Sequence, residues 1–455
     1  MKKIFVLILS LGSISAYTQK TGWQYLFDGK SLAGWKQMTG SAEYKVENGA
    51  IVGITVPGSP NSFLVCDKKF NGDFILEMEV MMSDTTTNSG IQFRSNYDAA
   101  GNNGKGKIYG YQYELDPSVR RWSGGLYDEG RREWLYPVSL NSNAQVYFTP
   151  NVYHRIKIEC ISNTIKTWLD GAAVSYIMDT LKANQGLIAL QVHSINKPEL
   201  AGIKVHWKNI LIRTSNLISS HFPKGIYVAN LDPNKLIGYE IQSGWKLLFD
   251  GKSSKGWVGA YKKTFPEKGW EIKNGVLKVL PSTGGESTNG GDIVTTDKFS
   301  AFDLSFEFKL TPGANSGLKY FVTLSENNSG SAIGLEYQLL DDTLHPDAKM
   351  GLGGNRTLAS LYDLIKAEKS SRYIRQPGNW NTGRIIVYPN NHVEHYLNGI
   401  KVLEYERGSQ AYRDLVAISK YKVWSNFGEA KQGHILLQDH GNEVSFRSIK
   451  IRELK

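Results

Sequence analysis

The chain has 455 residues, and its 41% hydrophobic and 21% charged residues are typical of a folded globular protein, which excludes wholesale disorder. The formal net charge is +10, but no long block of consecutive Lys and Arg residues occurs, so no nucleic acid is expected as a partner. The 11 Trp and 24 Tyr residues favour β-sheets over a helical bundle.

The N-terminus has the pattern of an export signal. Lys2 and Lys3 precede an apolar run at 4–14, and small residues such as Ala16 follow it. We expect residues 1–18 to be a cleaved signal peptide and the mature protein to be secreted or periplasmic. No lipid-anchored cysteine is expected at the mature N-terminus, because no Cys comes directly after the apolar run. No membrane span is expected either, because this run is too short and no later one approaches about 18 apolar residues.

The chain contains an internal sequence repeat, so that one module occurs twice. GWQYLFDGKSLAGW at 22–35 matches GWKLLFDGKSSKGW at 244–257 in most positions. Further motifs repeat in the same order, at 44–53 and 270–279, 88–90 and 315–317, 110–116 and 334–342, 167–171 and 395–399, 189–194 and 436–441, and 205–213 and 444–452. We therefore expect two domains, at 20–214 and 242–455, joined by a linker at 215–241 that is rich in turn-forming residues.

Within each module the pattern predicts β-strands. Runs such as 74–83 and 303–310 alternate or are rich in β-branched and aromatic residues. Tight hairpins are predicted at Asn48-Gly49, Asp170-Gly171, Asn274-Gly275 and Asn398-Gly399. One short helix is expected at 357–366, and no long stretch has a helical period. Many short strands in about 200 residues predict an all-β fold, with one two-sheet jelly roll per module.

Taken together, the repeated motifs resemble those of a known family. The GW..LFDGKS...GW opening, the NSG, the hairpin with W/Y-L-D/N-G and the closing Q-x-H occur together in both modules. They closely resemble the DUF1080 family, also called the 3-keto-disaccharide hydrolase domain. The resemblance covers nearly all of the chain after residue 20, and it implies two tandem sandwiches of the concanavalin A-like lectin/glucanase type. It also implies action on glycosides that a separate oxidoreductase has oxidised to a ketone at C3.

A C3 ketone makes a sugar open to elimination. It acidifies the C2 proton, so that a base can remove this proton, an enolate forms and the C1 substituent leaves, after which water can add. The site needs a base, a cation or hydrogen-bond donor for the enolate oxygen, and an acid for the leaving group, but no organic cofactor. We therefore expect glycoside cleavage by elimination or net hydrolysis. A lectin-like, carbohydrate-binding protein without turnover is the alternative.

Strand alternation groups polar residues on one face of the first module, because residues i and i+2 of a strand point to the same side. Glu114 or His193 is expected to be the base there, and Arg94 the cation that stabilises the enolate. Substrate binding is expected from Gln92, Gln112, Gln191, Trp122 and Tyr127.

The second module repeats this face with changed residues. Glu336 or His440 is expected to be the base, and Lys319 the cation. Gln338 and Gln438 are expected to bind substrate. The order of Gln and Glu along the motif strand is swapped between the modules, but each face keeps one carboxylate and one amide.

A metal site is a further expectation for the second module. Carboxylates and an imidazole cluster there, and they could hold a divalent ion that polarises the ketone. The candidate ligands are Asp341, Asp342, His345 and Asp439. DD and HPD sequences are also common in turns, so turns without a metal are the alternative.

Overall fold

A computed structural model describes residues 22–455 except 147, 182–184, 284, 326–331 and 371–372. The expected signal peptide at 1–18 lies outside these described residues. Among them, no helix has both the length and the apolar character that crossing a membrane would require.

The first half of the chain forms two sheets. Its strands are, in chain order, β1 (Trp23–Tyr25), β2 (Trp35–Thr39), β3 (Glu43–Glu47), β4 (Ala50–Ile54), β5 (Ser62–Cys66), β6 (Phe70–Asn71), β7 (Phe74–Met82), β8 (Ser89–Asp98), β9 (Lys107–Leu115), β10 (Leu126–Glu129), β11 (Glu133–Tyr136), β12 (His154–Ile161), β13 (Thr164–Leu169), β14 (Ala172–Met178), β15 (Gln185–Val192), β16 (Lys204–Arg213) and β17 (Ala229–Asn230). The back sheet has the order β17-β14-β13-β12-β7-β16-β4-β3, with β1 against β16. The front sheet has the order β11-β10-β9-β8-β15-β5-β2, with β6 against β15.

The second half repeats this arrangement. Its strands are β18 (Trp245–Leu247), β19 (Trp257–Gly259), β20 (Trp270–Lys273), β21 (Val276–Val279), β22 (Ile293–Thr295), β23 (Phe302–Leu310), β24 (Asn315–Thr323), β25 (Ile333–Leu340), β26 (Asn381–Val387), β27 (His392–Leu397), β28 (Ile400–Glu406), β29 (His434–Leu437) and β30 (Val444–Glu453). The back sheet has the order β20-β21-β30-β23-β26-β27-β28, with β18 against β30. The front sheet has the order β19-β22-β29-β24-β25.

Helices are short and lie in the connections. They are α1 (Gly101–Gly104), α2 (Gly238–Gln242) and α3 (Gln410–Ile418), with 3-10 turns at Val138–Ala144, Pro198–Leu200, Pro346–Lys349 and Lys420–Val423. The helix expected at 357–366 is wrong. That segment instead runs alongside strand β25. The N–H groups of Ala359 and Tyr362 donate to the main-chain oxygens of Gln338 and Glu336 in this strand. A backbone bonded to a neighbouring strand cannot also form the bonds of a helix.

The predicted hairpins are confirmed. The Asn-Gly and Asp-Gly pairs join β3 to β4, β13 to β14, β20 to β21 and β27 to β28, all antiparallel. Both residues of each pair have positive φ, as at Asn48 (48°) and Gly49 (75°). This is the backbone of a type I′ turn, whose twist matches that of the strands it joins.

Each module buries its own apolar core between its front and back sheets. Phe93 and Trp207 lie in the first core, and Phe306 and Tyr337 in the second, all without solvent exposure. The fold is thus all-β, with two tandem concanavalin A-like jelly-roll sandwiches. Between them, part of the 215–241 segment is ordered on the first module, because β17 adds to β14 as a parallel strand.

Leu304→Ala should destabilise the second sandwich. Leu304 is fully buried in β23, at the centre of the core, so the substitution removes apolar contacts and leaves a cavity. We expect the free energy of unfolding of this module to fall by about 2–5 kcal/mol, measured by denaturant titration. Leu344→Ala is the matched control, because Leu344 is 62% exposed and should change stability by less than about 0.5 kcal/mol. Equal effects of the two substitutions would contradict the assignment of the core.

Candidate active site

The second module opens a cavity of about 480 Å³ on the outer face of its front sheet. Five residues expected from the sequence line it together, namely Lys319, Glu336, Gln338, Gln438 and His440. The side chains come from β24, β25 and the turn after β29, which are neighbours in the sheet. Strand alternation thus brings residues that are distant in the sequence to one polar face.

An ammonium and a carboxylate face each other inside this cavity. Lys319 lies directly opposite Glu336 in the β24–β25 pair. Its Nζ atom is 4.0 Å from Oε2 of Glu336 and 4.0 Å from Oε1 of Glu286. Lys319 and Glu336 are 6% and 5% exposed. Gly317 leaves room for the Glu336 carboxylate, because a Cβ atom at this glycine would lie 2.5 Å from Oε1.

Burial and charge shift the pKa of both groups. Burial raises the pKa of Glu336, although the ammonium groups of Lys319 and Lys420 oppose this. Burial alone would lower the pKa of Lys319, but the carboxylates of Glu336, Asp292 and Glu286 outweigh it, and the net shift is upwards. Lys319 therefore remains a cation at neutral pH, beside a carboxyl group that binds a proton more readily than an exposed one does.

Amide groups and an imidazole complete the cavity wall. Nε2 of His440 lies 3.3 Å from Nδ2 of Asn315, and Nε2 of Gln438 donates to Oε1 of Glu286 over 2.8 Å. Oδ1 of Asn315 and Oε1 of Gln438 are buried and have no hydrogen-bond partner among the described residues. Buried acceptors of this kind normally have a partner, so these two oxygens are suited to accept hydrogen bonds from substrate hydroxyls.

The cavity is also lined by residues that the repeated motifs did not indicate, among them Glu286, Tyr362, Lys420 and Trp424. Lys420 and Trp424 belong to a segment that includes α3 and has no counterpart in the first module. One signal was available, because the distance between the Y-L-N-G hairpin and the Q-x-H is longer in the second module than between the same motifs in the first. The inserted residues form one wall of the cavity.

The first module has a chain of side-chain hydrogen bonds on the same face. Oε1 of Glu114 accepts from Asn88 over 2.9 Å, and Oε2 accepts from Gln112 over 2.8 Å. Oε1 of Gln112 accepts from Nε2 of Gln92 over 2.7 Å. Burial raises the pKa of Glu114 to about 7. Gln92 occupies the strand position of Lys319, so the cation of the second module has no equivalent at this position.

Arg94 does not share a face with Gln92, and this expectation is wrong. A bulge lies between β8 and its neighbours here, and Arg94 has a φ of 46°. The bulge turns the Oγ atom of Ser95 towards Gln92, at 2.6 Å, and points Arg94 the other way. Its guanidinium contacts Asp73 at 3.2 Å and lies over the Phe74 ring, between the sheets. Arg94 is therefore a structural ion pair and not the expected enolate cation.

The other two expected site residues of the first module, His193 and Gln191, have different surroundings. Nδ1 of His193 is 2.8 Å from the main-chain oxygen of Ser194. Gln191 is 1% exposed, and neither amide atom has a hydrogen-bond partner among the described residues. In the folded chain such an amide has to be satisfied by water or by a bound hydroxyl group.

Trp122 was expected to bind substrate, but its ring is not open to a sugar. Its ring is 4% exposed and lies between the Arg120 guanidinium, at 4.7 Å, and the ring of Trp134, also at 4.7 Å. Tyr373 of the second module adds a further ring at 5.7 Å. Tyr127 packs against Trp134 in the same cluster. Trp122 therefore lies in a contact between the modules, and Tyr127 is half-buried at the edge of this cluster.

The expected metal ligands are occupied by turns. Both oxygens of Asp341 accept main-chain N–H groups, as do both oxygens of Asp439. Asp342 accepts the N–H of Leu358 and pairs with Lys369 at 3.0 Å. His345 caps the following 3-10 turn. The expectation that these residues form a metal site is wrong, because within the described ranges their ligand atoms do not converge.

A different group of possible ligands does converge, on strands β27 and β28 of the back sheet. It consists of His392, Glu394 and Glu404. The ammonium of Lys401 lies 3.1 Å from Glu394 and 2.6 Å from Glu404, so a cation already occupies the space between the two carboxylates.

Comparisons with known proteins agree with the motifs. The family described as the 3-keto-alpha-glucoside-1,2-lyase-like domain matches residues 22–213 and 244–452. A Bacteroides thetaiotaomicron protein named 3-keto-disaccharide hydrolase is 35% identical over 263 residues, which are 53% of this chain and 89% of the relative.

Solved structures match about half of the chain or less. One is a Parabacteroides distasonis protein proposed to be a glycosyl hydrolase, which is 30% identical, covers 49% of this chain and 100% of its own, and has a TM-score of 0.44. The carbohydrate-binding module CBM66 from Bacillus subtilis is 16% identical over 40% of this chain and 96% of its own, with a TM-score of 0.28. Because the family match spans both sandwiches, the chain belongs to the family of 3-keto-alpha-glucoside-1,2-lyase-like domains.

Proposed function

We propose that this protein cleaves 3-keto-glycosides and that the second module carries the reaction. The observation that supports this most directly is the buried pair of Lys319 and Glu336 in an open cavity, because elimination next to a ketone needs a base and a cation at one place. Family membership and the name of the Bacteroides relative support the same substrate class. We also propose that the protein is exported and that a separate oxidoreductase supplies the ketone.

In this proposal Glu336 removes the C2 proton. The C–H electron pair forms the C2–C3 double bond, and the carbonyl electrons move to the C3 oxygen, where Lys319 stabilises the negative charge. The C3 carbonyl then re-forms, the C2–C3 electron pair moves to form a C1–C2 double bond, and the C1–O bond breaks. The leaving oxygen keeps the electrons of that bond and takes a proton from His440 on the cavity wall. Release at this stage is elimination, and addition of water at C1 gives net hydrolysis. No oxidant or reductant is consumed.

The first module lacks, at the position of Lys319, the positive charge that this reaction requires. Its polar face carries Gln92 in place of the lysine, and both oxygens of Glu114 already accept hydrogen bonds from amides. The unsatisfied amide of Gln191 could bind a sugar hydroxyl without any reaction. We therefore propose a binding role for this module. The lectin-like alternative for the whole chain would require the second module to be inert as well.

Glu336→Gln should abolish most of the turnover. The substitution keeps the shape of the side chain but removes the base, so we expect kcat to fall by about 10²–10⁴-fold. The assay follows an enzymatically oxidised disaccharide and its unoxidised parent by NMR, and only the oxidised sugar should be cleaved. Glu114→Gln, the same change in the first module, should leave turnover in place. Inertness of the unaltered protein towards both sugars would favour the lectin-like alternative.

The pH profile should report the raised pKa of Glu336. The carboxyl group must be ionised to accept a proton, so kcat/KM should fall with decreasing pH at a midpoint above the ordinary value of 4.5. Glu286→Gln removes a negative charge that raises this pKa, and it should move the acid limb to lower pH. A limb that stays in place or moves upwards in this variant would assign the titration to another group.

Chelation should not affect turnover. The carboxylates that had been expected to bind a metal are engaged in turns and ion pairs, and the Lys319 ammonium supplies the positive charge. We expect unchanged rates after prolonged incubation with EDTA followed by desalting. A loss of activity that a divalent ion restores would contradict this expectation.

A further inference from the structure

Lys420 stands on a rigid wall of the second module's cavity. It follows α3 and opens the 3-10 turn Lys420–Val423. Its main-chain N–H donates to Oδ2 of Asp363 over 2.8 Å, and Oδ1 of Asp363 accepts from Nε of Arg356 over 2.7 Å. The side chain therefore starts from a fixed point and reaches into the cavity that contains Glu336.

The ammonium groups of the two cavity lysines differ in their partners. Lys319 has two carboxylates at 4.0 Å. The Nζ atom of Lys420 lies over the Tyr362 ring at 4.2 Å, and among the described residues it has no hydrogen-bond acceptor and no ion-pair partner. Lys420 is accessible to solvent, so a bound substrate can reach its nitrogen.

The surroundings of the two lysines shift their pKa values in opposite directions. Burial lowers the pKa of Lys420, and the charge of Lys319 adds to this effect, while Glu336 and Glu286 oppose it. The pKa of Lys319 is shifted upwards instead. A lysine whose pKa is lowered beside a second cation loses its proton more readily, and the free amine is the form that acts as a nucleophile towards carbonyl groups.

We propose that the amine of Lys420 attacks the ketone carbon of a bound 3-keto-sugar and forms an iminium ion with it. This inference rests on the proposed function, because it requires a ketone. The nitrogen lone pair forms the N–C3 bond, and the carbonyl electrons move to oxygen, which Lys319 stabilises. The oxygen leaves as water with one proton from the amine and one from solvent, and the C=N⁺ bond forms.

The iminium ion then accepts electrons in place of the ketone. Its positive charge acidifies the C2 proton further, Glu336 removes that proton, and the electron pair moves through C2=C3 to nitrogen as an enamine. The nitrogen lone pair then re-forms the C=N⁺ bond, the C2=C3 pair forms a C1–C2 double bond, and the C1 substituent leaves as an alcohol with a proton from His440. Water hydrolyses the C=N⁺ bond, which returns the ketone and the free lysine. The first module has no counterpart of Lys420, which agrees with a binding role there.

Reductive trapping tests this proposal. The full chain is incubated with the 3-keto-glycoside and cyanoborohydride, which reduces a C=N⁺ bond to a stable secondary amine. We expect loss of turnover that increases with time, and peptide mass spectrometry should place the added sugar on Lys420. The unoxidised glycoside should give neither effect. Lys420→Arg, which keeps the charge and the stem, should prevent the adduct and lower turnover, and circular dichroism checks its fold.

Lys422→Arg is the matched control. Lys422 lies in the same turn, exposed to solvent and outside the cavity lining, so this variant should be trapped and inactivated like the unaltered protein. Turnover of the ketone without an adduct, or an adduct on Lys319 instead, would overturn the iminium proposal and leave the proposed function intact. Absence of both turnover and adduct would overturn the proposed function and this inference with it.

Discussion

The second module's site depends on the pairing of the Lys319 ammonium group with two carboxylates. A charge taken out of water costs several kcal/mol unless other charges compensate it, and here Glu336 and Glu286 do so from two sides. The arrangement keeps a positive charge in a place with little water, where its field acts strongly on a bound substrate. At the equivalent strand position the first module has Gln92, and a chain of amides replaces the charges. The pair Lys319 and Glu336 in one module and the pair Gln92 and Gln112 in the other thus give two chemically different faces on the same scaffold.

Much of the fold could be predicted from the sequence because local signals and long-range pairing agree. The Asn-Gly and Asp-Gly turns fix hairpins, and the two-residue period of strands such as β24 and β25 places Lys319 and Glu336 on one face. The same period failed at Arg94, because one bulge reverses the direction of the side chains that follow it. A bulge depends on the pairing of both neighbouring strands, and a single sequence does not show it.

Other parts of the site depend on tertiary contacts alone. The acidic residues around Asp341 have the composition of a metal site, yet their oxygens cap the turns next to β25. The 357–366 segment has a helical composition, yet it pairs with that strand. Lys420 belongs to a segment of the second module that has no equivalent in the first. Comparison of the two halves could therefore show the insertion, but not where its side chains lie. Each of these features is decided by what the segment packs against.

The glycine of the NSG motif has a consequence for how the two halves diverge. Gly317 lies under the Glu336 carboxylate, and Gly90 lies under the Gln112 amide in the same way, with hypothetical Cβ contacts of 2.5 and 2.4 Å. The space above this glycine accepts either side chain, since the two have nearly the same shape. A duplicated gene could therefore exchange acid for amide at this position without disturbing the backbone. One copy would be free to lose or gain chemistry while the other preserved it, and selection could act on each half separately.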